Sequence, residues 1–145
     1  MSLGGERLNP TGDTIADTFQ KAGYATGCFG KWHNGTQYPY HALGQGFQEF
    51  YGFTSGHWGT YFDAPLDHNG QRVRSTGYLT DDLTTKAIHF IDANMKRPFF
   101  CYLPLNIPHS PMQVPDSYFE RYKNFPLTQT GRGKEDIDHT RAALA

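Results

Sequence analysis

Lys31 and His33 stand two residues apart at the end of an apolar run, and His109 lies between two prolines in Pro108-His109-Ser110-Pro111. In an extended chain, residues two apart point to the same side. Lys31 and His33 can therefore present an ammonium and an imidazole to one anion. The same spacing also describes a solvated lysine beside a loop histidine, and His109 alone can equally be a structural histidine. Taken together, a fixed positive charge and two groups that exchange protons near neutrality suit an oxyanion such as sulfate or phosphate, whose charge needs preorganised donors.

Other constellations are weaker. His33, His41, His57 and His68 are separated by 8, 16 and 11 residues, with no HExxH or HxH, so a histidine zinc site is not indicated. Asp63 and Asp67 form no loop of EF-hand type, and Asp81-Asp82 is explained by helix capping. No metal ligand is therefore assigned. Cys28 and Cys101 lie in apolar runs without CxxC spacing, which suits buried thiols and leaves the redox compartment open.

The elements that must position these residues are those of an α/β domain. Thr11 to Lys21 reads as a short helix with Ile15, Phe19 and Ala22 at helical spacing, stopped by Gly23. Tyr24 to Phe29 reads as a buried strand, with Gly30-Lys31-Trp32-His33 at its carboxyl end. Tyr78 to Lys96 reads as a long helix with Leu79, Leu83, Ala87, Ile91 and Met95 repeating every four residues, widened by Ile88 and Phe90. Phe99 to Leu103 is a continuous apolar run, the pattern of a strand buried on both faces. In open α/β sheets ligands bind outside the carboxyl ends of strands, the edge where Lys31, His33 and His109 are expected.

Between Asn34 and Thr76 no period persists. Nine of the 25 residues from Tyr38 to Phe62 are aromatic, so this segment is expected to be an ordered excursion rather than a disordered one. A binding module stacking sugar rings on Tyr40, Trp58 and Tyr61 is an alternative, and it requires at least two of them coplanar and exposed. Pro115 to Tyr122 suggests a short helix, and Thr140 to Ala145 the start of another.

Composition narrows the classes further. The 145 residues carry 13 Lys plus Arg against 14 Asp plus Glu, which gives a nucleic-acid binder no basic excess. No stretch approaches the roughly 18 apolar residues of a membrane span, and no signal peptide is visible. Aromatic residues at 15% and 16 glycines suit a loop-rich α/β chain.

Gly23-Tyr24-Ala25-Thr26-Gly27-Cys28-Phe29-Gly30-Lys31-Trp32-His33 resembles the second signature of the formylglycine-dependent sulfatases, Gly-Tyr-x-Thr, three residues, then Gly-Lys-Trp-His. Four further segments fit in order: Thr14-Ile15-Ala16; Gly46-Phe47-Gln48-Glu49-Phe50-Tyr51-Gly52-Phe53; Gly77-Tyr78-Leu79-Thr80-Asp81; and Pro98-Phe99-Phe100 through Pro108-His109-Ser110-Pro111. The resemblance implies a partial alkaline-phosphatase-like α/β fold, a central mostly parallel sheet flanked by helices with one long aromatic and Gly-rich loop. Residues 13–123 would be part of a sulfatase catalytic domain, 1–12 a tail or cloning remnant, and 124–145 a polar tail leading into a helix.

Carried over by residue, the resemblance implies that Lys31 bridges the substrate sulfate and a catalytic aldehyde hydrate. His33 would hydrogen-bond that hydrate, and His109 would contact the sulfate and protonate the leaving oxygen. It also implies calcium and formylglycine in the parent family, and a sulfate-ester substrate such as a sulfated carbohydrate or aryl sulfate. The family's Cys/Ser-x-Pro/Ala-x-Arg nucleophile motif does not occur around Cys28, Cys101, Ser110 or Ser117, and no Asp-Asn-Gly appears. The chain therefore reads as an internal segment, inactive by itself, with exposed sheet edges that favour self-association. A relative acting on phosphate or phosphonate esters is the alternative enzyme. Periplasmic, secreted or lysosomal residence is the expectation for the parent family only.

Overall fold

The computed structural model describes residues 7–9, 11–127 and 137–145, in two compact units, Met1–Leu105 and Asn106–Ala145. The first unit holds α1 (Ile15–Lys21), β1 (Ala25–Lys31), β2 (Glu49–Phe53), β3 (Pro65–His68), β4 (Gln71–Arg74), α2 (Leu79–Asn94) and β5 (Phe99–Tyr102). The second holds α3 (Asp116–Phe119) and α4 (Ile137–Leu144). The polar stretch from Asn124 onward falls partly outside the described residues.

The five strands form one open sheet in the order β4-β3-β2-β1-β5. β1 pairs in parallel with β2 (Lys31 opposite Phe53) and with β5 (Gly27 opposite Cys101). β3 and β4 add an antiparallel hairpin beside β2. The sheet is therefore mixed, and the segment from Asn34 to Thr76 is not one long loop: it holds three strands. Their sequences concealed them for physical reasons. β2 is buried on both faces and so shows no alternation, while β3 and β4 are four residues each, too short to display a period.

β1 separates two apolar layers. Ala25 and Phe29 join Tyr51, Phe53, Leu79, Leu83, Ala87 and Phe90 on the α2 side. Cys28 and Trp32 join Ala16, Ala42, Phe47 and Phe50 on the α1 side. The helices bury slightly different stripes from those the spacing predicts. On α2 the buried line runs Leu79, Leu83, Ala87, Phe90, Asn94, while Ile88 and Met95 face solvent. Steps of four precess around a helix by about 40° each, so the core-facing row must take a step of three. On α1 the buried residue is Ala16, and Ile15 is exposed.

Local signals set the helix ends. Thr14 caps α1: its hydroxyl accepts from the Asp17 N–H, and the Asp17 carboxylate accepts from the Thr14 N–H, so two orphan donors are satisfied reciprocally. At the far end of α2, Asn94 turns back to donate to the Phe90 carbonyl and accepts from Arg97 Nε (both 2.7 Å).

β5 departs most from expectation. Its continuous apolar sequence predicts burial on both faces, yet it lies at the sheet edge with Phe99 and Tyr102 exposed. An edge strand has a neighbour on one side only, so apolar content alone does not bury it.

Candidate active site at the carboxyl edge of the sheet

The last residue of β1 is Lys31, and its strand end is fixed from both sides. The Lys31 N–H donates to the Pro104 carbonyl and the Trp32 N–H to the Phe53 carbonyl, each at 2.8 Å. Gly30 makes this possible. It sits at φ +136°, and a Cβ there would collide with the Pro104 carbonyl oxygen. Only glycine allows the chain beyond β5 to approach so closely.

Trp32 anchors the turn. It is buried against Phe47, and its indole N–H donates to the Tyr40 carbonyl at 2.8 Å. Trp32 therefore enters the α1-side core between Lys31 and His33, which flank it on the chain. Lys31 follows Phe29 by two residues and so shares the α2 face of the strand. It is half-buried, and its ammonium makes no hydrogen bond or ion pair among the described residues. A partly desolvated cation without a carboxylate partner is suited to an incoming anion.

His33 is half-buried and seated on the loop after β2: a Cβ at Gly56 would overlap its imidazole. Gly56 belongs to no motif in the sequence. Its only signal is a glycine in an unperiodic loop, and the constraint comes from a residue 23 positions earlier.

His109 belongs to the second unit. It is exposed, its N–H donates to the Asn106 carbonyl at 3.0 Å, and its Nδ1 lies 2.9 Å from the Ser110 carbonyl oxygen. A carbonyl can only accept, so Nδ1 carries the proton and Nε2 is the basic nitrogen of the neutral ring. Pro108 and Pro111 both follow cis peptide bonds.

The remaining titratable residues have structural work. His41 caps a 3₁₀ turn at Ala42–Gly44 by accepting from the Leu43 N–H, and its Nε2 faces Asp67 at 3.5 Å. Burial pulls its pKa below the ordinary 6.5, partly opposed by Asp67. His68 packs edge-on to Tyr51, on the other face of the sheet from His41. Asp63 accepts from the Gly77 N–H and Asp67 from the Gly70 N–H, which gives both aspartates turn-forming roles. Burial first, and the neighbouring Cys101 second, push the Cys28 thiol far above its ordinary range, and burial raises Cys101 as well. Neither sulfur is a ready nucleophile.

The calcium and formylglycine that the resemblance implies require a cluster of metal ligands and a cysteine or serine in the family's motif. No group of three or more His, Cys, Asp or Glu side chains is placed to hold a metal among them. Neither cysteine stands in a Cys-x-Pro/Ala-x-Arg sequence. The described residues do not fit either group.

The aromatic segment does not meet the requirement for a sugar-stacking module. Tyr61 is fully buried, Tyr40 and Trp58 are half-buried, and Phe47, Phe50, Tyr51 and Phe53 are core. These rings build the sheet's two apolar layers.

The structure is an open α/β sheet whose inner strand β1 ends in Lys31, with His33 seated on Gly56 just beyond it. The family model described as Sulfatase matches residues 3–141. The uncharacterized sulfatase YdeN of Escherichia coli is 30% identical over 135 residues, covering 74% of this chain and 24% of that protein. The arylsulfatase of Klebsiella aerogenes is 30% identical over 131 residues, covering 81% and 28%. Among solved structures, Ps i-CgsB in complex with k-i-k-neocarrahexaose superposes with a TM-score of 0.81 at 30% identity, covering 95% of this chain and 34% of that one. BT4656 in complex with its substrate D-glucosamine-2-N,6-O-disulfate gives 0.70 at 26% identity, covering 86% and 24%.

The chain belongs to the sulfatase family, and its fold is a part of the sulfatase α/β fold. It spans about a quarter of the length of these curated relatives.

Proposed function

We propose that this chain is a segment of a sulfatase that presents Lys31 and His33 to the ester sulfate of a sulfated sugar, with His109 of the second unit a further candidate considered by itself. One observation carries the reading: the Gly-Lys-Trp-His turn closes β1 with a half-buried ammonium at Lys31, unpaired among the described residues, and an imidazole held against Gly56. The Lys31 ammonium neutralises charge on a sulfate oxygen, and His33 holds or moves a proton beside it. His109 enters on its own geometry, with Nε2 as the nitrogen that takes up a proton and gives it to the leaving alcohol oxygen. Sulfated sugars are favoured by two neighbours, whose structures hold a neocarrahexaose and a disulfated glucosamine. Self-association through the open β5 edge belongs to the same reading. Among the described residues no helix is long and apolar enough to cross a membrane.

The 145-residue polypeptide is expected to bind sulfate but not to hydrolyse it, since its own residues supply no nucleophile for the covalent step. Two measurements test this. Titration with inorganic sulfate, followed by NMR, should shift the Lys31 and His33 resonances saturably, and Lys31→Ala should abolish the response. Hydrolysis of an aryl sulfate should not exceed that of the same Lys31→Ala chain. Absent shifts, or turnover above the control, would overturn the proposal.

A further inference from the structure

His41 stands apart from the Lys31–His33 edge and reaches it through its neighbour on the chain. It caps the 3₁₀ turn Ala42–Gly44, where its Nδ1 accepts from the Leu43 N–H at 3.2 Å. An N–H can only donate, so Nδ1 carries a lone pair and the proton of the neutral ring sits on Nε2. Nε2 is buried and faces Asp67 Oδ2 at 3.5 Å, an N–H turned toward a carboxylate across a gap longer than a good hydrogen bond. The two ring nitrogens thus play opposite roles, one on the turn and one toward β3. Phe50 of β2 packs edge-on against the ring.

Tyr40 carries this order onward. Its N–H and that of His41 both donate to the Gln37 carbonyl, at 2.8 and 2.9 Å, and the Gly44 N–H donates to the His41 carbonyl at 2.8 Å. Tyr40 then braces the chain on both sides of His33. Its carbonyl accepts the Trp32 indole N–H at 2.8 Å, and a Cβ at Gly35 would collide with the Tyr40 Cβ. His33 lies between these two held points, and one peptide bond joins the residue that holds them to His41.

We propose that His41 is a positioning residue for the sulfate edge: its neutral imidazole keeps the 3₁₀ turn closed and, through Tyr40, fixes Trp32 and Gly35 on either side of His33. The proposal rests on the sulfate-edge reading above and adds a residue that acts without touching the ligand. A proton on Nδ1 would set two donors, the imidazolium and the Leu43 N–H, against each other, so the charged ring cannot cap the turn. Asp67 favours that charge and burial opposes it, burial being the larger influence. The turn is therefore closed at neutral pH and opens as pH falls below the ordinary histidine value of 6.5. Around it, α1 brings Asp17, whose carboxylate is held by Thr14, and β1 brings the Cys28 thiol. β4 sets Arg72 opposite Asp67, and residues 37–45 add only the phenols of Tyr38 and Tyr40.

NMR on the 145-residue chain tests this with the Leu43 amide and the Trp32 indole N–H as reporters. On acidification the two signals should move together, with one midpoint below 6.5, and in His41→Asn that shared step should vanish. At neutral pH, His41→Ala leaves the Leu43 N–H without its acceptor. It should shift the Trp32 indole signal and weaken binding of inorganic sulfate roughly fivefold, the worth of one hydrogen bond. His41→Asn supplies an acceptor of its own and should bind within about twofold of the unmodified chain. Both variants lose the imidazole that meets Phe50 and Asp67, so a role in stability alone would weaken them alike. Leu43 and Trp32 signals with different midpoints, a shared step that persists in His41→Asn, or an Asn variant as weak as Ala would each overturn the proposal. Should His41→Ala fail to fold, the pH titrations of the unmodified and Asn chains decide. If the unmodified chain ignores sulfate while Leu43 and Trp32 still move together, the sulfate-edge reading fails and the link from His41 to Trp32 stands.

Discussion

β1 and β5 are adjacent parallel strands of similarly apolar sequence, and they live in different environments. β1 is buried along almost its whole length, hydrogen-bonded on both edges and covered by α1 on one face and α2 on the other. β5 has one neighbour, and Phe99 and Tyr102 remain 36% and 43% exposed. The contrast teaches that apolarity records what a strand is built to contact, whereas burial records which contacts this stretch of chain supplies. The candidate residue Lys31 follows the same division: it leaves the strand that is fixed on both edges.

The largest effect should come from cutting the same ring on the two strands. Phe29→Ala removes a fully buried side chain packed against Phe90 and should cost roughly 3–5 kcal/mol in urea denaturation. Phe99→Ala removes a ring on the same face that meets Phe90 from an exposed position, and should cost about 1 kcal/mol. Equal losses would erase the distinction between the strands.

A smaller effect tests what protects β1. Thr14→Ala removes the side-chain half of the α1 capping box, the hydroxyl that accepts from the Asp17 N–H, and should cost about 1 kcal/mol. Because α1 covers the face that holds Cys28, this variant should also speed alkylation of Cys28, bringing it toward the half-exposed Cys101. In the unmodified chain Cys101 should be labelled first. If Cys28 reacts as quickly as Cys101 before α1 is weakened, the covered-face account of β1 is wrong.

The smallest effect is one of pH. Burial keeps His41 below its ordinary pKa of 6.5, so as pH falls below 6.5 the unfolded chain takes up a proton that the folded chain refuses. The stability associated with His41 is present above that pH and lost below it. His41→Asn, which retains a side-chain acceptor for the Leu43 N–H, should make the fall of stability on acidification shallower than in the unmodified chain. An unchanged slope would mean that His41 does not titrate as its burial demands.

Much of the first unit was legible in sequence because its signals are local. The turn Gly30-Lys31-Trp32-His33 at a strand end, the α1 cap near Thr14 and the acidic first turn of α2 each lie within a few residues of the feature they specify. What was missed depends on distant partners. β2, β3 and β4 are defined by pairing, and β2, between two apolar layers, shows no alternating pattern. The Gly56 contact with His33 and the position of Arg72 opposite Asp67 are products of the fold, and no spacing along the chain announces them. Trp58 was visible as an aromatic residue, but the burial of its indole N–H with no acceptor among the described residues was not.

The two ends of the sheet are also unlike. β4 ends it with Gln71, Arg72 and Arg74 exposed, side chains that discourage another strand from docking. β5 ends it with Phe99 and Tyr102 and no charge within the strand. The two edges therefore differ in chemistry: one carries charges that oppose further strand pairing, and the other is wholly uncharged.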